Sequence, residues 1–440
     1  MSSPTDARAI GVPPVADRLR VAADRHGTPL FVTDLAALDA AAAAVRDAFP
    51  YPWVRQYSVK ANDVPGVVAA VTSRGFGANV VSRGEWAIAR KAGVPNGRIS
   101  LEGIGKTDAD LRAAVRATAV GSVPLAWVAL ESADEAEAVT RMARRAGLGR
   151  GGRPALDVLI RLNPDVTPET IPGLDVGHGG SKFGLTETEA TGLVEWLSDH
   201  AGGAVRPRGV HLHVGSQLRA VDAWRDAVRR GLAVVALLRG GLPTFDTLDV
   251  GGGFPVLPLD EPAPGPERFA REMPALLDGV PDDRRPRRLA IEPGRALVAR
   301  SGWLIASVLH VRDRGGRQVV IDAGMTELIR PALYGARHPI VALTSLGRAV
   351  AADEPAADEP AADGPAAATA PTRVDGPICE STDALGLHDL PPLRRGDLVA
   401  ISDAGAYGAS LGSTYNGRPL AAQVLLEPDG GIRLARRARS

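Results

Sequence analysis

A single cysteine, Cys379, in 440 residues excludes an internal disulfide and any metal centre built from several thiolates. Net charge is missing too: 51 Lys and Arg balance 51 Asp and Glu, so no overall field draws the chain to nucleic acid or an anionic membrane. No run of about 18 uninterrupted apolar residues occurs. The opening MSSPTDARAIGVPPVADRLR lacks the basic start and apolar stretch of a secretory signal. These absences predict a cytoplasmic protein with a small-molecule partner, no nucleic acid and no membrane.

What is present is a rhythm. Between residues 54 and 295 short β-branched runs alternate with Ala-rich helical stretches, and eight such runs can be counted. They are VRQYSVKA, GANVVS, RISLEG, LAWVALES, DVLIRLN, GVHLHVG, TLDVGGG and RLAIEPG. Eight strand and helix repeats predict a (β/α)8 TIM-type barrel, an α/β fold, over 39–298; a doubly wound open sheet is the alternative. Past residue 299 the helical stretches fade into β-rich segments, which predicts a second, mostly β domain over 299–440. Residues 1–38, with PLFVTDLAAL at 29–38, are expected to join that domain and make it discontinuous. The Pro, Ala and acidic near-repeat of 349–372 reads as a surface insert with nothing to bury.

Several runs end in reactive residues, and in a barrel those ends converge on one mouth. Lys60, flanked by apolar residues in YSVKAN, would be desolvated there and able to form a Schiff base; the alternative is a lysine snorkelling to solvent. His213 follows His211 by two residues, a spacing that also suits a metal pair, but no acidic ligand set at other strand ends completes one, so no metal is expected. At a barrel mouth the His213 ring can stack on a flat cofactor, with Ser216 and the next amides reaching a phosphate. The glycines ending at Gly253 let backbone approach an anion, or form a plain tight turn. EPGR places Glu292 and Arg295 together, either as a local ion pair or as partners of a pyridine nitrogen and a phosphate. Further on, Cys379 adjoins Glu380, Arg330 and Tyr334 are four residues apart on one helical face, and Tyr407 lies in a Gly/Ala turn.

YSVKAN, SKFG, HVGSQ, GGGF, EPGR, RPALYGA, CES, GAYG and YNGRP occur in the order and roughly the spacing of the fold-type III pyridoxal-phosphate (PLP) decarboxylases, which the chain resembles from about residue 29 to 427. The resemblance is strongest to the members that convert meso-diaminopimelate to L-lysine. It implies that Lys60 holds PLP, that His213 stacks on the ring, and that Ser216, Gly253, Gly294 and Arg295 contact the phosphate. It further implies Glu292 on the pyridine nitrogen, Cys379 as proton donor beside Lys60 and His213 as the catalytic residues, and Arg295, Arg330, Tyr334, Glu380 and Tyr407 on the substrate side, with Tyr407 also contacting the cofactor. In that family Cys379 and Glu380 serve the partner's barrel, so a homodimer with shared sites is implied. One departure stands out: Asn79 occupies a position where the family usually has Asp, which leaves open another amino acid substrate, carrier-bound among them. A non-catalytic PLP-binding homologue is the third reading, opposed by the presence of Lys60 and Cys379.

Overall fold

The computed structural model describes residues 13–119, 123–171, 173–258, 261–350 and 368–439. They divide into two compact units: residues up to 39 with 257–262 and 298–440, and residues 40–256 with 263–297. Segment 257–262 groups with the first unit although it interrupts the sequence of the second.

The second unit is a closed parallel barrel. After β1 (Leu30–Asp34), its strands are β2 (Val54–Ser58), β3 (Gly77–Val80), β4 (Ile99–Leu101), β5 (Trp127–Leu130), β6 (Leu156–Leu162), β7 (Val205–Leu212), β8 (Thr247–Asp249) and β9 (Arg288–Ile291). They pair in sequence order, and β9 closes on β2 through Val54 opposite Ala290 and Arg55 opposite Ile291. All eight expected runs therefore contribute a strand, and closure decides against the open sheet. Strands covered on both faces have no polar side to alternate with, and β3, β4, β5 and β8 are buried at every position. Two strand-to-helix turns share one device. Ser82 and Ser132 cap the helices Arg83–Lys91 and Ala133–Arg145 by accepting from the backbone N–H of Glu85 and Glu135. Those glutamates reach back to the N–H of Val81 and Glu131 at 2.9 and 2.8 Å.

The other unit is built on a nine-stranded sheet. Its further strands are β10 (Gly302–Asp313), β11 (Arg317–Ile321), β12 (Ile340–Ala342), β13 (Thr344–Ser345), β14 (Arg348–Ala349), β15 (Ala370–Asp375), β16 (Ala384–Leu390), β17 (Leu398–Ile401), β18 (Ala422–Leu426) and β19 (Ile432–Arg436). The main path runs β16-β15-β11-β10-β1-β18-β19; β17 joins β10 and β12, while β13 and β14 form a separate pair. β1 lies between β10 and β18, so the early segment is a central strand of a sheet otherwise built from the last third of the chain. Only Leu30–Asp34 of PLFVTDLAAL is strand; Leu35 opens a helix that runs to Ala48. The helix Ala16–His26 lays Leu19, Ala22 and Ala23 on Val32, Ile305, Val424 and Leu426. Each large aliphatic side chain buried there contributes roughly 2 kcal/mol.

The insert is shorter than its composition suggested. Ala349 lies in β14, and Ala370 to Thr372 belong to β15, with Thr372 fully buried opposite Arg317. The middle of it, 351–367, lies outside the described residues.

Candidate active site

Lys60 does not end a strand. It sits two residues past β2 in a single 3-10 turn, Val59–Ala61, whose exit is braced by Tyr57 Oη donating to the Asn62 carbonyl at 2.9 Å. Asn62 Oδ1 accepts from Val64 N–H at 3.2 Å. The turn is tied across the barrel seam by Ser58 Oγ donating to the Glu292 carbonyl at 3.1 Å.

His213 follows β7 directly. Burial first, then the nearby Lys60 amine, holds its imidazole well below the usual range. The unfolded chain takes up a proton near the ordinary imidazole pKa that the folded ring does not, so this contribution to stability is complete above that pH and is lost as pH falls below it. Thermal melting of cofactor-free protein between about pH 7.5 and 5.5 should therefore decline more steeply than that of His213→Gln. Parallel curves would mean that the folded ring takes up its proton as readily as the unfolded one.

Beside His213 the backbone is shaped to approach something closely. Gly251 and Gly253 have φ of +70° and +98°, and a Cβ on them would meet the Leu212 carbonyl at 2.2 Å and the Gly215 carbonyl at 2.6 Å. Neither position accepts a side chain without moving backbone. Arg295 Nη2 donates to Ser216 Oγ at 3.1 Å, which joins two of the expected phosphate contacts. Gly294 packs against Ser58 and Ala61 on either side of the lysine turn. Gln217, not singled out by its motif, clips the two loops together: its side chain donates to the Val256 carbonyl at 2.9 Å and accepts from Val256 N–H at 2.7 Å.

Below the rim lies a buried polar floor, and here one expectation is corrected. His211 is not without acidic company: its Nε2 lies 3.3 Å from Glu102 Oε2 and 3.5 Å from Glu292 Oε1, because the ends of β4, β7 and β9 point their side chains to one place. Donor atoms of these three residues fall within 4.8 Å of one another, a spacing that a metal ion could also use. Hydrogen-bond donors already address both carboxyl groups, however. Asn79 Nδ2 donates to Glu292 Oε1 at 2.6 Å, and Trp127 Nε1 to Glu102 Oε1 at 3.0 Å. Glu102 and Glu292 are also hydrogen-bonded to each other. Against its burial, His211 and these bonds hold Glu102 down at about 2, whereas burial and the Glu102 charge push Glu292 well up. Burial also raises Asp249, whose Oδ1 accepts from Gly251 N–H at 2.9 Å.

The remaining expected residues belong to the β unit. Arg330 starts the short helix Arg330–Tyr334, is buried, and donates from Nε to His338 Nε2 at 3.3 Å; Tyr334 is half-buried at the end of the same helix. Cys379 and Glu380 are exposed on a loop fixed by Asp383, whose carboxylate accepts from Met325 N–H at 2.6 Å and Ile378 N–H at 2.7 Å. Tyr415 of YNGRP hydrogen-bonds Glu380, which raises its hydroxyl above the usual range, and so joins this group unforeseen. Tyr407 has a φ of +58°, a left-handed conformation that costs a residue with a large side chain about 1 kcal/mol or more.

An amine on a barrel rim, a glycine turn, an Arg and Ser pair and a carboxyl group whose proton affinity burial raises are the parts that a barrel binding an aldehyde cofactor with an anionic tail needs. The chain belongs to the pyridoxal-dependent decarboxylases: the model of that family's pyridoxal-binding domain matches residues 35–299. Its particular relatives are diaminopimelate decarboxylases. The Aquifex aeolicus enzyme is 33% identical over 423 residues, covering 95% of this chain and 91% of that one. The Deinococcus radiodurans enzyme is 35% identical over 408 residues, 92% of each. The solved Helicobacter pylori diaminopimelate decarboxylase complexed with L-lysine has a TM-score of 0.82 at 30% identity and covers 96% of this chain and 97% of its own. The cofactor is pyridoxal 5'-phosphate, and the rim fits it. Arg295 and Ser216 form a pair of donors of the kind a phosphate needs, and the Glu292 carboxyl lies in the buried floor. No helix among the described residues is long and apolar enough to cross a membrane.

Proposed function

We propose that the protein is a cytoplasmic homodimer that decarboxylates meso-diaminopimelate to L-lysine. The observation that carries this reading is the convergence of Lys60, His213 and Glu292 with the Ser216 and Arg295 pair in one barrel unit, in a chain whose relatives are diaminopimelate decarboxylases. When bound, pyridoxal phosphate supplies the electron sink into which the bond to the leaving carboxylate can empty. The protein's residues supply the rest. Lys60 holds the cofactor carbonyl, and Ser216, Gly253, Gly294 and Arg295 hold the phosphate. His213, kept neutral, covers one face of the ring without placing a positive charge against it. Glu292 holds a proton at the pyridine nitrogen. Cys379 returns a proton to the α-carbon, serving the partner's barrel together with Glu380.

The substrate's second amino-acid head carries both signs, so its site must offer both. Arg295 and Arg330 address the distal carboxylate, Tyr334 and Tyr407 add hydroxyl donors, and Glu380 takes the distal ammonium. Each charge-assisted contact is worth roughly 1.5 to 3 kcal/mol, so Arg330→Lys, which keeps the charge but loses the fork, should lower kcat/KM for diaminopimelate by about tenfold or more. Carbon dioxide release from meso-diaminopimelate, lysine, ornithine and arginine tests the substrate. Diaminopimelate should dominate, because a substrate without the distal carboxylate forgoes the charge-assisted contacts that the two arginines offer it. Equal or faster turnover of ornithine, or none of diaminopimelate by cofactor-loaded dimer, overturns the reading.

A further inference from the structure

Asn79, Glu102, Trp127, His211, Asp249 and Glu292 come from six of the eight barrel strands or the turns just after them and meet with none more than 4% exposed. Nδ1 of His211 and Oδ2 of Asp249 are buried there without a hydrogen-bond partner among the described residues, so the floor is built to face a polar group. Two carboxyl groups in hydrogen-bond contact and out of water cannot both be anionic at low cost; the pair holds one proton. Geometry then says which carboxyl keeps it. Glu102 receives the Trp127 indole N–H and lies nearer to His211, so its oxygens are the better solvated as an anion. Glu292 receives one amide N–H from Asn79 on Oε1, which leaves its other oxygen for the proton.

We propose that Glu102 is a positioning residue that keeps Glu292 loaded with a proton toward the pyridine nitrogen, and that the amide of Asn79 is what permits a carboxylate at position 102. The proposal rests on Glu292 being the partner of that nitrogen. An acid at 79 would put a third carboxyl group against the pair; an amide instead donates to it, and the anion is carried on the neighbouring strand. Proton transfer balances simply. With the cofactor bound, the proton given up by the Glu292 O–H would be the one the ring nitrogen gains, and the carboxylate left behind would serve as its counter-charge. The negative charge of Glu102 raises the proton affinity of both ends, so the proton stays between them as pH rises. Lys60 and Arg161 oppose that effect, and His211, in contact with both carboxyl groups, His213 and Asp249 are the other titratable groups facing the pair.

The test begins without the cofactor. Infrared spectra of cofactor-free protein in D2O at neutral pH should show a buried carboxylic-acid C=O band that is absent in Glu292→Gln and lost or moved to lower pH in Glu102→Gln. In cofactor-loaded protein, the alkaline limb of the visible absorption should move down by about one pH unit or more in Glu102→Gln. The Asn79→Asp, Glu102→Gln double variant returns the anion from the next strand and should move both signals back toward the wild type. Should Glu102→Gln fail to fold, the double variant decides: wild-type titration supports the proposal, and titration without the acid band overturns it. An unchanged band and limb in folded Glu102→Gln overturns it as well, as does stoichiometric divalent metal in purified protein. Loss of cofactor binding in Glu292→Gln with the infrared behaviour as expected leaves the proton-sharing pair standing. Unaltered ring titration in Glu292→Gln removes instead the reading of Glu292 as the nitrogen's partner.

Discussion

Lys60→Ala should lose turnover by at least about a thousandfold, together with the visible absorption of lysine-bound cofactor. Only this lysine belongs to the constellation that fits the cofactor. The chain has four, and the others, Lys91, Lys106 and Lys182, are a helix-end residue, a partner of Glu135 at 3.0 Å and a neighbour of the Phe183 ring. Borohydride reduction followed by peptide mapping should therefore place the fixed adduct on the peptide containing Lys60 alone. The lysine turn packs on Gly294 and is held by Tyr57 and Ser58, so removing the side chain leaves the backbone bonds that shape it intact. The variant should fold, and its melting curve without cofactor should match that of wild type. An adduct on any other lysine would overturn the assignment.

The same physics explains why the rim was legible in the sequence and the floor was not. Parallel strands buried on both faces leave short β-branched runs, and a polar residue at the end of such a run marks the mouth. That rule led to Lys60, Glu292 and the histidines. It applies equally to Glu102 after ISL, Glu131 after VAL and Asp249 after TL, which went unread because their strands are separate in sequence and nothing local says that they face one another. Glu131 in fact accepts from the buried Arg161 at 2.5 Å and from the SKFG backbone at Gly184, 3.0 Å away, so it holds a motif that carried no role by itself. Composition failed differently at the insert. Ala370 to Thr372 resemble the Pro and Ala run before them, but β11 and β16 on either side supply hydrogen bonds that override a weak strand propensity. The left-handed backbone at Tyr407 has no sequence signal, because a tyrosine there is held by its surroundings rather than by its own preference.

Cys379→Ala should lower kcat by about 10² to 10⁴, the range for removing a positioned acid, with intact cofactor absorption. Mixing it with Lys60→Ala distinguishes how the sites are assembled. Cys379 and Glu380 are both exposed in the single chain, on a loop whose backbone Asp383 fixes. A thiol in open water gains little over solvent as a proton donor, so the pair needs cover, and in the proposed dimer the partner's barrel provides it. In a mixed dimer, the barrel that retains Lys60 then receives Cys379 from the other chain and is complete, while the second barrel lacks both. With equal amounts and full exchange, half the dimers are mixed and half their sites work, so about a quarter of wild-type activity should return. Sites built from one chain alone would return none, since each chain in every dimer still lacks one of its two residues. Native mass spectrometry of differently tagged chains shows whether exchange has occurred. Exchange without recovered activity would place Cys379 in its own chain's site or outside the chemistry.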